Sequence, residues 1–355
     1  MYRRLLHFLR CPDCGRAFDL EALMSASEHD VSVGILHCGA AHFFPVVGGI
    51  PRLLPNSIDE HWQDVSSSMP SPAPASLASL LDARAKRSFT HDQRTQANFS
   101  HEWQHHEVGD RTWAMDLEGR VECFFVDPIR IPRSELRGKL ILDAGCGNGS
   151  QSVAYTELGC EVVAVDLSSG LERGQAFRKR YEAARPDKIH FVQADLRHPP
   201  FARSIFDVIH SAGVLHHTPD TRHTFRQLAP LLKPDGTFYV WLYKHEAYVT
   251  PLVNGIRRLT TSIPAARFAR IANLMAPLFQ AFCFAVDALG IRAYTSLSRR
   301  EAALALMDIF GAPYAHAHSY DEVATWFRAE GATELWPCNE SRRGFGICGR
   351  LNRVV

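Results

Sequence analysis

The stretch Leu140-Ile-Leu-Asp-Ala-Gly-Cys-Gly-Asn-Gly-Ser150 constrains this chain more than any other. A short apolar run, long enough for one buried strand, ends on Asp143. Gly145, Gly147 and Gly149 follow, and a helix-like pattern begins after them. Glycines in such alternation serve where a backbone must turn tightly and come close to another group. The spacing is G-x-G-x-G, one residue shorter than the dinucleotide-binding G-x-G-x-x-G. Two later runs repeat the arrangement: Glu161–Asp166 ends on a carboxylate, and Ile189–Ala194 leads into Asp195. If these runs are adjacent parallel strands, Asp143, Asp166 and Asp195 stand along one carboxyl edge, where open α/β sheets bind ligands. Turn chemistry accounts for each Asp singly, but not for the three together.

Short apolar runs alternate with helix-length segments from about residue 84 onward, which predicts an α/β fold with a mostly parallel sheet. Strands are expected at Lys139–Asp143, Glu161–Asp166, Ile189–Ala194, Phe206–His210 and Thr237–Tyr243, with weaker ones at Thr333–Trp336 and Phe345–Gly349. Helices are expected at Gln151–Glu157, Gly170–Ala184, Arg222–Leu231, Arg299–Phe310 and Asp321–Glu330. Three units follow: a small Cys/His-bearing module over 1–58, a Pro/Ser/Ala-rich linker over 59–83 and the large α/β domain over 84–355. Hydrophobic residues make up 46% and charged residues 22%, enough apolar surface for a large core. The net charge of +1 argues against a general nucleic-acid binder. No apolar run is expected to span a bilayer, and the first ten residues hold too short a run for a signal peptide. Nine cysteines without such a signal predict a reducing, cytoplasmic setting and cysteines used for metal or packing.

Cys11-Pro-Asp-Cys14-Gly15 is a C-x-x-C knuckle, and Cys38-Gly-Ala-Ala-His42 is a C-x-x-x-H. Three thiolates and an imidazole make a closed tetrahedral zinc site, structural because no position is left for water. His37 is an alternative fourth ligand with poorer reach. Buried free cysteines leave the Pro and Gly of the knuckle unexplained. A module this small has little core of its own, so the metal would supply folding energy.

Residues 142–149 (L-D-A-G-C-G-N-G), 165–168 (V-D-L-S), 194–196 (A-D-L) and 206–217 (F-D-V-I-H-S-A-G-V-L-H-H) resemble the class I S-adenosylmethionine-dependent methyltransferases over about residues 95–245. The resemblance implies a Rossmann-like seven-stranded sheet with its last strand antiparallel. It implies that Gly145, Gly147 and Gly149 approach the methionine end of the cofactor, that Asp166 binds the ribose hydroxyls and Asp195 the adenine amino group, and that Asp143 orients the loop. Cys146, Leu167, Leu196 and Ser211 complete the implied cofactor set. His216 and His217 follow the fourth strand, at a position that borders the methyl group in the resembling family; either is a candidate base, since His titrates near neutrality. Packing in a strand-to-helix turn accounts for the same two residues. The Asn/Asp-Pro-Pro-Tyr sequence of many exocyclic-amine methylases is absent. The N-terminal module resembles zinc ribbons fused to, or acting beside, some methyltransferases, including certain ribosomal-RNA guanine methyltransferases. Residues 1–60 hold five Arg against seven Asp or Glu, which speaks against a strong RNA grip.

His101-Glu-Trp-Gln-His105 matches the zinc-protease pattern H-E-x-x-H, a match that arises easily among 18 His. It reads better as a helix entering the large domain. Phe99 and Trp103 resemble the aromatic pair that precedes the cofactor domain in related small-molecule methyltransferases, and the His side chains face either the pocket or solvent. Segment 244–300 carries eight Lys or Arg against Glu246 and Asp287, with Pro251, Pro264 and Pro277 expected to break it into short helices. It reads as a helical lid or a dimer contact, with a membrane surface or an acidic substrate as further partners. His316 and His318 are secondary pocket candidates. The reading is methyl transfer from S-adenosylmethionine to a small metabolite or natural-product intermediate. The alternatives are an RNA-base methyltransferase guided by the ribbon and a non-catalytic cofactor-binding scaffold. Nucleic acid is not an expected partner, and the sequence assigns no oligomeric state.

Overall fold

The computed structural model describes residues 1–39, 42–70, 91–106, 110–178, 186–245, 251–288, 297–341 and 343–352. Near the N-terminus an antiparallel meander is built from β1 (Asp19–Ser25), β2 (Val31–His37), β3 (Phe43–Val47) and β4 (Ile50–Pro51). The large sheet follows, with β5 (Leu140–Ala144), β6 (Glu161–Asp166), β7 (Ile189–Gln193), β8 (Phe206–Ala212), β9 (Leu232–Tyr243), β10 (Ala332–Cys338) and β11 (Gly344–Leu351). Its order is β10-β11-β9-β8-β5-β6-β7. Strands β5 to β9 pair in parallel, and β11 runs antiparallel to both β9 and β10. This is the arrangement the resemblance implies. Every residue of β5, β6 and β7 is buried, as expected for parallel strands covered on both faces. The chain reverses its direction of travel across the sheet between β5 and β8, so a crevice opens there at the carboxyl edge.

All seven expected strands form. β9 begins five residues before the expected Thr237 because Leu232-Lys-Pro-Asp-Gly236, a turn by composition, is accommodated by Asp235 at a φ of 59°. The expected helices appear as Ser150–Tyr155, Leu171–Arg178, Thr221–Leu228, Arg299–Leu306 and Tyr320–Ala329. The remainder of the expected 170–184 helix lies outside the described residues. Gly331, at a φ of 83°, follows the last helix as a left-handed terminator.

The N-terminal meander has a small apolar cluster of its own, Ile35 and Val65 with Leu23, Phe43, Val47 and Met69 around them, but most of its buried side chains join the large domain. Leu5, Leu9, Phe18, Phe44 and Leu53 belong to one apolar cluster with Val165, Val192 and Ala194 of the large domain. The meander also covers the edge strand β7: Arg52 bridges Gln193 in parallel, and Leu53 N donates to Gln193 O at 2.7 Å. Arg4 pairs with Glu161, and Arg52 Nη2 lies 3.0 Å from Glu172. A sheet edge is thereby removed from solvent. Short helices at Ser57–Glu60 and Trp62–Ser67 occupy the start of the stretch read as a linker; residues 71–83 of it lie outside the described residues.

The lid segment departs from expectation. Pro277 does not end a helix: Ala265–Ala288 is continuous, with Pro277 inside it. Proline removes the N–H that would reach the Asn273 carbonyl, and Arg299 Nη2 donates to that carbonyl at 3.3 Å instead. The uninterrupted part Ala265–Val286 is also long and apolar enough to cross a membrane by length and composition, contrary to the expectation that no run qualifies.

Candidate functional site

Gly145, Gly147 and Gly149 take φ values of 89°, 60° and 73°, a region that side chains rarely adopt. Space closes on them as well. A Cβ at Gly145 would lie 2.3 Å from Val214, one at Gly147 2.7 Å from the Trp103 indole, and one at Gly149 2.4 Å from Phe191. The loop is clasped by three elements far apart in sequence: helix Gln93–Gln104, strand β7 and the turn after β8.

The carboxyl edge brings the predicted carboxylates together. Asp166 Oδ2 accepts from Gly147 N at 2.8 Å and Oδ1 from Ser168 N at 2.7 Å. Burial pushes the Asp166 carboxyl up, and the hydrogen bonds from Ser168 and Gly147 partly offset this. Asp143 sits beneath the loop and accepts from the Ser152 hydroxyl; His210 lies between Asp143 Oδ1, 3.0 Å from Nδ1, and Phe124 O, 3.1 Å from Nε2. Asp195, at the end of β7, is gripped by Arg197 through Nη2 at 2.6 Å and Nε at 3.0 Å. Ser211 Oγ donates to Ala144 O at 2.9 Å, stitching β8 to β5. Leu167 O accepts from Gln193 Nε2 at 3.1 Å, and Leu196 is buried beside it in the core. Cys146 is half-buried in the loop itself. The two backbone donors and the Ser168 side chain use three of the about four lone-pair sites of the Asp166 carboxylate, so one remains for a ligand hydroxyl.

Helix Gln93–Gln104 contributes what the sequence did not show. Thr95, Asn98, Glu102 and His106 recur at i, i+3, i+7 and i+11, all buried. Thr95 Oγ1, Asn98 Nδ2, Glu102 Oε2 and His106 Nδ1 have no hydrogen-bond partner among the described residues. Buried polar atoms are nearly always paired, so a stripe of four orphans marks a surface built to meet a polar group. Burial, reinforced by Asp308 and Asp166, pushes the Glu102 carboxyl well above the usual range. The H-E-x-x-H match thus resolves into Glu102 turned inward, with His101 and His105 packed on each other at 4.2 Å on the outer side.

His216 and His217 lie on a short 3-10 turn, Leu215–His217, at the crevice. His216 stacks on Tyr243 at 3.7 Å, and neither ring nitrogen has a hydrogen-bond partner among the described residues. Burial, with His217, His318 and His316 nearby, drives its pKa well below the ordinary value, so it is a neutral ring. His217 Nδ1 donates to Tyr314 O at 2.7 Å, and Nε2 lies 3.0 Å from Asp308 Oδ1, close but not aligned as a hydrogen bond. The Tyr243 hydroxyl donates to the other Asp308 oxygen. Asp308 stands on a π-helical turn, Met307–Gly311, a distortion frequent at functional sites. Arg257 and Thr260 of helix Pro251–Thr260 satisfy the carbonyls of Ile309, Ala312 and Phe310 around that turn. His316 Nε2 is a further buried orphan, whereas His318 is tied to Thr221 at 3.0 Å and Glu322 at 3.1 Å. Only His316 of that pair is thus left with a nitrogen to offer.

At the other end of the chain, Cys11, Cys14, Cys38 and His42 place their donor atoms within 4.8 Å of one another. The His42 Nδ1 atom is 3.5 Å from Cys11 Sγ and from Cys38 Sγ, and Cys14 Sγ is 3.5 Å from Cys38 Sγ. Zinc bonds of about 2.3 Å to sulfur and 2.0 Å to nitrogen give tetrahedral edges of about 3.5–3.8 Å. Three of the six edges, each 3.5 Å, have that length, so the four donors are compatible with that ion, with His42 rather than His37 in the set. A cavity of about 290 Å³ between Lys139, Asp207, Lys233 and Arg350 opens at the opposite, amino edge of the sheet and is no part of either site.

Residues 142–240 match the family model described as a methyltransferase domain. A 27-O-demethylrifamycin SV methyltransferase of Amycolatopsis mediterranei is 33% identical over 99 residues, covering 28% of this chain and 36% of that protein. A ubiquinone biosynthesis O-methyltransferase of Xanthomonas campestris pv. campestris is 30% identical over 139 residues, covering 38% and 56%. A tRNA U34 carboxymethyltransferase of Idiomarina loihiensis is 28% identical over 147 residues, covering 39% and 41%. The chain spans between about a third and little more than half the length of these curated relatives. The matched residues run from β5 to β9 of the large sheet.

Proposed function

We propose that the chain transfers a methyl group from S-adenosylmethionine to a small molecule, and that its N-terminal cluster holds a structural zinc. One observation carries the methyltransferase reading. Three glycines in the left-handed region lie at the crevice between β5 and β8, and carboxylates end the adjacent strands β6 and β7. The bound cofactor supplies an activated sulfonium methyl group. The chain's own residues do the rest. The remaining acceptor site of Asp166 takes a ribose hydroxyl, and Asp195, already gripped by Arg197, takes the adenine amino group. The backbone of 145–149 meets the methionine end, and Asp143 with His210 fixes the loop from below.

Methyl transfer chiefly requires alignment, together with removal of a proton from the nucleophile. His217 is the better base of the histidine pair. Its Nδ1–H is committed to Tyr314 O, so Nε2 is the nitrogen that receives a proton, with Asp308 beside it to hold the imidazolium. His216, neutral and stacked on Tyr243, shapes the pocket wall. The relatives named for a demethylrifamycin and for ubiquinone biosynthesis favour a small-molecule acceptor, as does the net acidic N-terminal segment 1–60.

Labelled S-adenosylmethionine incubated with the protein and cell extract, separated into RNA, lipid and small-molecule fractions, tests the reading. Label is expected outside the RNA fraction. Once an acceptor is in hand, His217→Gln should lower kcat by about 10²–10⁴-fold with S-adenosylhomocysteine affinity unchanged. Label confined to RNA would replace the small-molecule reading with the RNA one. Cofactor binding without transfer to any fraction would leave a scaffold.

A further inference from the structure

Ten large apolar side chains are exposed among the described residues, and nine of them lie on the two helices Pro251–Thr260 and Ala265–Ala288. On the longer helix, Ile271, Leu274, Met275, Leu278 and Phe282 fall at i, i+3, i+4, i+7 and i+11 and are 43% to 75% exposed. At 100° per residue they form one stripe about 100° wide. The opposite face of this helix is already used. Phe268, Ala269 and Ala272 pack with Leu306 and Met307, and Ala276 packs with Ala302 and Ala303. The shorter helix repeats the pattern with Leu252, Ile256 and Leu259 at i, i+4 and i+7.

Charge names the partner. Residues 247–286 hold four Arg and no Asp or Glu. Arg257 is bound to the carbonyls of Ile309 and Ala312, but Arg258, Arg267 and Arg270 are exposed. On the helical wheel Arg267 falls within the apolar stripe and Arg270 on its border. An apolar stripe edged by arginine and lacking any acid is the pattern of a helix lying in a membrane interface. A twofold contact with a second copy would set these arginines against one another, and the two helices carry a single carboxylate, Asp287, near the far end of the longer one. An anionic headgroup supplies the missing negative charge. Although Ala265–Val286 has the length of a span, its inner face is packed on helix Arg299–Leu306, so the helix lies along the surface rather than across it.

We propose that helices Pro251–Thr260 and Ala265–Ala288 dock the protein on an anionic phospholipid bilayer through the outward stripe from Ile271 to Phe282 and the arginines 258, 267 and 270. This inference is independent of the methyl-transfer reading. Its test is co-sedimentation of the full chain, without cofactor, with vesicles of phosphatidylcholine alone or mixed with phosphatidylglycerol. The protein is expected to sediment with the mixed vesicles and to dissociate as salt rises. Leu274→Ser/Leu278→Ser/Phe282→Ser should abolish binding. Arg258→Gln/Arg267→Gln/Arg270→Gln, which leaves the stripe intact, should weaken it about 10–100-fold. Failure of the wild-type protein to sediment with the mixed vesicles would overturn the proposal, as would equal binding to neutral vesicles. A concentration-dependent dimer, dissolved by the serine substitutions and indifferent to vesicles, would assign the stripe to a second copy instead.

Discussion

Replacing Asp166 by Asn probes the core of the site with almost no change in shape. The two carboxylate oxygens accept separate backbone donors, Gly147 N at 2.8 Å and Ser168 N at 2.7 Å. An amide has only one acceptor oxygen, so whichever way it flips, its NH2 faces a backbone N–H. One charge-assisted hydrogen bond is lost, and a buried N–H is left opposite another donor. Hydrogen bonds to a charged group contribute about 1.5–3 kcal/mol. Because Gly147 is the centre of the glycine loop, this loss falls on the loop geometry as well as on any ribose contact. The expected result is a rise in the Kd for S-adenosylhomocysteine of about 10–150-fold, the same energy expressed as affinity. Global stability should fall less, since removing the charge also relieves the burial penalty that pushes this carboxyl up. Titration calorimetry on the variant, with a urea melt to confirm folding, reads both quantities. A folded Asp166→Asn protein that binds with wild-type affinity would refute the assignment of the site, not merely of this residue.

Three further outcomes are expected. Elemental analysis of the purified protein should find one zinc per chain, and Cys11→Ser or Cys38→Ser should remove it. The melting temperature should then fall, because the meander shares its core with the large sheet, while S-adenosylhomocysteine binding persists. For Glu161, burial alone would raise the carboxyl, but hydrogen bonds from His190 and Arg4 outweigh it and hold it at about 2, against an ordinary 4.5. A depressed folded value means stability that is fully present above about pH 4.5 and is lost as the pH falls toward 2; it amounts to about 2 kcal/mol after discounting for the half-exposed Arg4. Urea midpoints measured from pH 6 to 2.5 should therefore drop more steeply for the wild type than for Glu161→Gln. Finally, Gly147→Ala should lower both stability and cofactor affinity, because the left-handed φ is strained for alanine and the new methyl meets the Trp103 indole; Trp103→Ala in the same chain should recover part of the loss but not all of it, and full recovery in melting and calorimetry would remove backbone strain from the explanation.

The parts of the molecule legible in sequence are those whose cause is local. Gly145, Gly147 and Gly149 are glycines because the backbone there is left-handed, and Glu161–Asp166 is apolar throughout because both faces of its strand are covered. Asp143, Asp166 and Asp195 sit at strand ends, a position that follows once the strands are recognised. Asp308 and Glu102 were not legible in this way. Nothing near residue 308 announces a π turn, and Glu102 stood within a motif that suggested its two histidine neighbours. Its importance depends on which side of the helix faces the sheet. The role of His217 rests on a carbonyl 97 residues away. Pro277 was expected to break a helix because proline chemistry is local, yet the helix continues because Arg299 reaches the carbonyl that proline leaves unbonded. The N-terminal module reads as having little core of its own; it keeps a small cluster at Ile35 and Val65, and most of its buried side chains pack with strands more than a hundred residues distant. Backbone angles and hydrophobic period are written residue by residue, so the sequence by itself determined the loop, the strands and the acids that end them. Burial, orphaned polar atoms and hydrogen-bond partners are properties of pairs brought together only by packing, and these the tertiary structure decided.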